Sequence, residues 1–269
     1  MKKVPLIFSV LLLFSLLVPL MGASATKSLV VDVAEDAYVV ADLNDPDDTL
    51  GFREKNYGSL DFVKAWYLWN VEMVEQEVEG EEVEGEEAEP EVVEVEVELE
   101  KVISVIYLKF DLSQLEDKTV ESVMLQLYAQ NVVLLAPRYV QVFLVSSDWA
   151  ETTITFNSRP TWGQTAIATT IIYQADQWYG WDVTDDVIRE TESGQISLAV
   201  MLRDMEKAAE ELVAFPSLEA GGNVSRLVIT YAESGVVWYW WVIGVVVLLA
   251  LLALAFFGGL KLRRRQPSQ

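Results

Sequence analysis

The chain has 269 residues, with 42 acidic against 19 basic side chains, a net charge of −23, and neither cysteine nor histidine. That composition excludes a disulfide framework, a thiolate metal site, a thiol nucleophile and the side chain most used as metal ligand and general base. A body this acidic repels phosphate, which argues against nucleic acid as a partner.

Both ends are apolar. Lys2 and Lys3 precede the run Val4 to Val18, followed by Pro19 and Gly22-Ala23-Ser24-Ala25, the pattern of a secretory signal peptide over 1–25. From Val236 to Leu260 no residue is charged, and about 25 residues rising about 1.5 Å each suffice to cross about 30 Å of hydrocarbon. Trp238, Tyr239, Trp240 and Trp241 suit an interfacial belt, and Lys261, Arg263, Arg264 and Arg265 a cytoplasmic stop. The sequence therefore predicts a single-pass cell-membrane protein: an extracellular body over 26–235, a transmembrane helix over 236–260 and a basic cytoplasmic tail over 261–269.

Within the body, Leu29 to Val33 and Ala37 to Ala41 read as short strands. Asp42 to Gly51 is a loop rich in the oxygen ligands that calcium favours, with Asp42, Asn44, Asp45, Asp47 and Asp48 as candidate metal ligands. Pro46 and Asp47 break the EF-hand pattern, and a solvated turn built from Asn, Asp and Pro is the competing reading. Asp61 to Met73 has strand composition and carries Trp66, Tyr67 and Trp69.

Glu72 to Glu100 then holds 15 glutamates and no basic residue; removing it would take the net charge from −23 to about −8. Its last part, Val93 to Glu100, alternates strictly apolar and acidic, as a strand does. A long hairpin is expected, Asp61 to Met73 pairing with Val92 to Phe110, with a disordered acidic tip over Gln76 to Glu89. An arm of this charge suits a basic protein partner or divalent cations. The strand Val102 to Ser113 anchors the body, with Ile106, Leu108 and Phe110 on one side and Tyr107, Lys109 and Asp111 on the other, the pattern of a half-buried strand.

Further runs follow at short, even spacing: Val123 to Ala129, Val140 to Leu144, Trp149 to Phe156, Ala166 to Tyr173, Trp178 to Val183, Gln195 to Leu202 and Ser225 to Tyr231. One short helix is expected, Met205 to Leu212, capped by Asp204. Many strands and few helices predict an all-β fold, an antiparallel β-sandwich of jelly-roll type with the acidic hairpin inserted.

The order Asp36-Ala-Tyr-Val39, Asn56-Tyr-Gly58, Tyr107 to Ser113, Val123 to Tyr128, Trp149-Ala-Glu-Thr-Thr-Ile-Thr-Phe-Asn157 with Pro160, and Trp178 followed by Trp181-Asp-Val-Thr184 resembles the DNRLRE domain. That domain is grouped with carbohydrate-binding module family 96 and with the disaggregatase-related repeats. The resemblance covers most of Val30 to Tyr231 and implies an extracellular β-sandwich that binds polysaccharide, alginate-like in some members. The acidic insertion departs from the family pattern, which usually has a short turn there.

A sugar site would need an aromatic platform, for which Trp66, Trp69, Trp162, Trp178 and Tyr179 are the candidates, provided that they share one sheet face. Lys64, Arg138, Arg159, Arg189, Arg203 and Arg226 are candidate partners for uronate carboxylates. Core packing is the competing reading for each aromatic, and solvation for each cation. Catalysis by paired carboxylates is not expected, since Asp182 sits in the Trp-Asp-Val-Thr motif and suits a turn instead. The expected role is glycan binding at the cell surface; the alternative is a non-catalytic envelope protein that docks through its acidic arm.

Overall fold

A computed structural model describes residues 26–78, 91–203, 209–233 and, towards the carboxy terminus, 243, 245–247, 249 and 250. The expected signal peptide, most of the hairpin tip, most of the expected span and the basic tail lie outside the described residues. Among those described, no helix is long and apolar enough to cross a membrane. The chain divides into two compact units, one of Ser28–Glu116 with Val120–Tyr231, the other of Met1–Lys27, Asp117–Thr119 and Ala232–Gln269. In the second, the described residues are strand ends, a turn at Asp117 with φ of 63° and helical positions between 243 and 250. All that follows concerns the first.

Twelve strands run through the described residues: β1 (Thr26–Asp32), β2 (Glu35–Asp42), β3 (Phe62–Val78), β4 (Glu91–Asp111), β5 (Lys118–Ala129) and β6 (Asn131–Val133). They continue with β7 (Arg138–Val145), β8 (Ala168–Ile172), β9 (Gln177–Asp182), β10 (Gln195–Leu202), β11 (Ala209–Pro216) and β12 (Arg226–Glu233). A four-stranded sheet takes the order β1-β12-β5-β9, and an eight-stranded sheet the order β6-β11-β3-β4-β10-β7-β8 with β2 paired to β4. The expected antiparallel, sandwich-like fold is observed.

Alternation decides which side chains meet between the sheets. Leu125, Leu127, Trp181, Leu227 and Ile229 of the smaller sheet join Ile106, Leu108, Phe110, Val142, Leu198 and Val200 of the larger in one buried cluster. The Trp181 indole N–H spans the sheets to donate to the Val140 carbonyl at 2.9 Å.

The opposite face of the larger sheet is also buried. Ala37, Val39, Val105, Tyr107, Phe143, Ala199 and Met201 form a second cluster with Trp149, Ile154 and Phe156. The segment Trp149 to Phe156, of strand composition, is therefore a cover of turns and not a strand. It is pinned from beneath: Tyr107 Oη donates to Pro160 O at 2.9 Å, and Trp149 Nε1 donates to Ser197 Oγ at 3.1 Å. Lys109 Nζ donates to Trp149 O and to Glu35 Oε1. This cover corrects the half-buried reading of Val102 to Ser113, because Tyr107 and Lys109 are buried along with Phe110.

β4 has three partners along its length. Residues 102–109 pair with β2, residues 106–111 with β10 and residues 91–103 with β3. The hairpin register runs from Tyr67↔Ile103 to Val78↔Glu91, with a bulge at Asn70/Val71. Gln76 to Val78, expected in the disordered tip, belong to β3, and β2 and β10, not β3, flank the inner half of β4. The outer ribbon exposes Val74, Val95 and Val97 and sets Glu75 directly across from Glu94, a like-charge pair that weakens a ladder.

The expected helix Met205 to Leu212 is not observed where it is described: Ala209 to Leu212 lie in β11. Its helix-forming composition yields to an eight-pair ladder with β3 and to burial of Glu211 against Arg138, Nε to Oε2 at 2.7 Å. The helix that does form is α1 (Thr184–Glu190), with Asp185 and Asp186 in its first turn and Arg189 in its last, charges that complement the helix dipole.

Candidate functional site

The outward face of the four-stranded sheet gathers what a glycan site needs. Inward Val123, Leu125, Leu127, Tyr179 and Trp181 force Met124, Gln126, Tyr128, Trp178, Gly180 and Asp182 to point out. The antiparallel register brings Tyr128 opposite Trp178, Gln126 opposite Gly180 and Met124 opposite Asp182. Tyr128 and Trp178 meet edge to face, with centroids 5.5 Å apart and planes at 65°. Arg226 lies with Cζ 4.0 Å from the Trp178 ring centroid, and its Nε donates to Gln126 Oε1 at 3.1 Å. A guanidinium held by a ring and an amide is presented in one orientation, ready for planar acceptors. Gly180 keeps the floor between these side chains low; a β-carbon there would stand 3.0 Å from Met124 Cε. At the rim, the Thr184 hydroxyl and then its backbone N–H bond Asp182, holding that carboxyl below the usual aspartate range.

The other aromatic candidates do not join Trp178. Tyr179 is buried, 6% exposed, because alternation turns it inward beside Trp178. Its hydroxyl accepts from the backbone N–H groups of Tyr173 and Gln174 and donates to Gln174 O, a purely structural role. Trp162 packs on the second cluster as part of the cover, with Arg159 5.0 Å from its centroid. Trp66 and Trp69 lie three residues apart on β3 and so leave its opposite faces. Lys64 sits 4.2 Å from the Trp66 ring and Lys101 3.9 Å from that of Trp69. The single platform expected from sequence is thus divided among the open face, the core, the cover and both faces of β3.

The basic candidates divide similarly. Arg138 is buried against Glu211 and has no access to a ligand. Arg189 pairs with Asp186 at 2.8 Å, and Arg203 donates to Gln141 at 2.9 Å. Tyr128, Gln126 and Gly180 went unnoticed in the sequence. The inward run Val123, Leu125, Leu127 already placed Gln126 and Tyr128 outward, but only the pairing of β5 with β9 brings them to Trp178.

The candidate metal loop engages its carboxylates in hydrogen bonds within the loop, beside it and to β4. Asp42 Oδ1 accepts from the N–H groups of Asn44 and Lys101, and Asp48 accepts from that of Arg53. Asp45 accepts from Thr49 Oγ1 at 2.7 Å, and this bond first, then backbone N–H groups, lowers its pKa. Asn44 and Asp47 are exposed. These bonds order the loop as a turn rich in Asn, Asp and Pro. Among the described residues, the acidic group whose oxygens approach within 4.8 Å of one another is Asp36, Glu151 and Glu219. Burial pushes the Asp36 carboxyl up to about 7. Glu151 is also raised to about 7, by burial first and then by its hydrogen bond to Glu219.

Residues 88–231 match the sequence profile of carbohydrate-binding module family 96, and the chain belongs to that family. No curated protein matches it significantly. Among solved structures, promiscuous carbohydrate-binding modules of the β-sandwich superfamily are similar at 14% identity and a TM-score of 0.21, over 64% of this chain and 58% of theirs.

Proposed function

We propose that this chain is a non-catalytic, membrane-anchored module that binds polysaccharide at the cell surface, across the outward face of its four-stranded sheet. The observation that carries the reading is the meeting of Trp178, Tyr128, Gln126 and Arg226 on that face in a member of a carbohydrate-binding family. Aromatic faces take the apolar faces of sugar rings over a large area at low entropy cost. The Arg226 fork suits a carboxylate, which favours uronate-bearing polymers. The leader, the uncharged run 236–260 and the basic stop after it support the placement, with the body outside.

The test is a glycan array that includes alginate and a neutral glucan, probed with residues 26–233 of the wild type and of the Trp178→Ala and Arg226→Gln variants. Binding by the wild type that falls about tenfold or more in each folded variant is the expected outcome; ~1.4 kcal/mol corresponds to that factor. No binding by the wild type, or equal binding by both variants, removes the assignment.

A second reading is favoured by the outer ribbon of β3 and β4, where exposed Val74, Val95 and Val97 lie among closely spaced glutamates. Such a surface suits a basic partner. Shortening the hairpin by residues 72–99 would then abolish surface association at low salt without touching glycan binding.

A further inference from the structure

Asp36 is the second residue of β2 and is completely buried. Its Oδ2 accepts the Leu218 N–H at 2.8 Å, whereas Oδ1 is sealed from solvent and has no hydrogen-bond partner. A buried carboxylate oxygen left without a donor is costly unless something positive faces it. The carboxyl group meets acid: Asp36, Glu151 and Glu219 each offer an oxygen, all within 4.8 Å of one another, and the charges acting on Glu151 are those of Glu219, Asp36 and Glu35.

This convergence is built from four stretches of chain. Asn56 Nδ2 donates to the Glu151 carbonyl at 2.7 Å and the Ile154 carbonyl at 2.8 Å, and Glu35 Oε2 accepts the Glu151 N–H at 2.9 Å. Gly58 closes over the same loop, where any β-carbon would collide with the Glu151 carbonyl. Glu219 rides on the 3-10 turn Leu218–Ala220, moored by Ser217 Oγ donating to Leu60 O at 2.6 Å. Asp36, Asn56 with Gly58, and Glu151 belong to three separate stretches that carry the family resemblance, and the fold brings them to one point.

We propose that Asp36, Glu151 and Glu219 hold a calcium ion that clamps the Glu151 loop and the Glu219 turn to β2. The donor set is all oxygen and triply acidic, as a hard cation requires, and zinc's preference for nitrogen and sulfur is unmet. Oxygens bound to one calcium at about 2.3–2.6 Å lie at most about 5 Å apart, so these three are close enough to share an ion without moving their segments. Water completes the six to eight ligands, Glu151 and Glu219 being accessible at the rim. The proposal does not rest on glycan binding.

Calorimetric titration with calcium chloride, and thermal unfolding in calcium or in EGTA, decide the matter on the full chain in detergent. One ion per chain and a melting temperature higher in calcium by several degrees are expected, since an ion that binds only the folded state stabilises it. Because Asp36 is buried and its replacement risks misfolding, the rim variants Glu151→Gln and Glu219→Gln carry the comparison. Each should fold in EGTA and lose at least tenfold in calcium affinity, while Asp45→Asn with Asp48→Asn should bind as the wild type does. No heat and no thermal shift in the wild type overturns the proposal. So does calcium binding that survives in the rim variants or disappears in the Asp45/Asp48 variant.

Discussion

The two sheets bury their inner faces in the same way and treat their outer faces oppositely. On the eight-stranded sheet, Trp149, Ile154 and Phe156 close over Val105, Tyr107, Phe143 and Ala199, so β2, the inner part of β4 and β10 are buried on both sides. On the four-stranded sheet no such cover lies, among the described residues, over Gln126, Tyr128, Trp178 and Arg226, which remain half exposed. A tryptophan on the first sheet's far side is structure, and one on the second sheet's far side is available to a ligand. The difference lies in one segment of chain and in the strands beneath it: β2 and β10 are buried on both faces, whereas β5 and β9 alternate buried with half-exposed side chains.

That contrast makes opposite demands on equivalent substitutions. Trp149→Ala removes the centre of the cover, its packing on Tyr107 at 5.9 Å between centroids and its bond to Ser197; a loss of about 3–5 kcal/mol of stability is expected in urea unfolding. Trp178→Ala on the open face should cost about 1 kcal/mol or less by the same measurement. Equal losses at the two sites would erase the distinction between cover and open face.

Glu211→Gln probes the edge of the larger sheet, where Arg138 was a sequence candidate for ligand binding. Leaving the Arg138 charge buried beside a neutral amide should cost about 3–5 kcal/mol, with glycan affinity unchanged once the protein is folded. A reduced affinity in folded protein would return Arg138 to the binding surface.

The smallest effect belongs to the rim of the open face. Asp182 has its pKa lowered by the Thr184 hydroxyl and then by the Thr184 N–H. A carboxyl depressed in the folded state adds stability above its unfolded pKa, and that contribution is lost as pH falls through the folded pKa. Thr184→Val should move the Asp182 titration, followed by carboxyl-carbon NMR, up towards the ordinary aspartate range. An unmoved titration would assign the depression to something other than this turn.

Legibility in the sequence followed the range of the interaction. Strands such as Gln195 to Leu202 and Val123 to Ala129 declared themselves because inward residues recur every second position, whatever they pack on. Met205 to Leu212 misled because Ala-Ala-Glu-Glu-Leu is good helix composition, and what overrode it is the ladder to β3 and a salt bridge to a residue 73 positions away. In α1 the signal was present, as Asp185, Asp186 and Arg189 lie at the ends that the dipole favours, but seven residues are too few for a periodic pattern. The acidic sites separate on the same principle. Asp42 to Asp48 reads as a metal loop because its carboxylates are neighbours in sequence; in the fold Asp45 and Asp48 accept from the Thr49 and Arg53 N–H groups close by. Asp36, Glu151 and Glu219 are far apart in sequence, and only the fold makes them neighbours.

The central claim is that the uncovered face of the four-stranded sheet receives the glycan. Amide and indole NMR shifts of residues 26–233, followed during titration with an oligosaccharide that the array selects, test it most directly. The account predicts the largest changes at Gln126, Tyr128, Trp178, Gly180 and Arg226, including the Trp178 indole N–H, with Trp66, Trp69 and Trp162 undisturbed. Changes centred on Lys64 and Trp66, or along the hairpin from Asn70 to Val78, would contradict it.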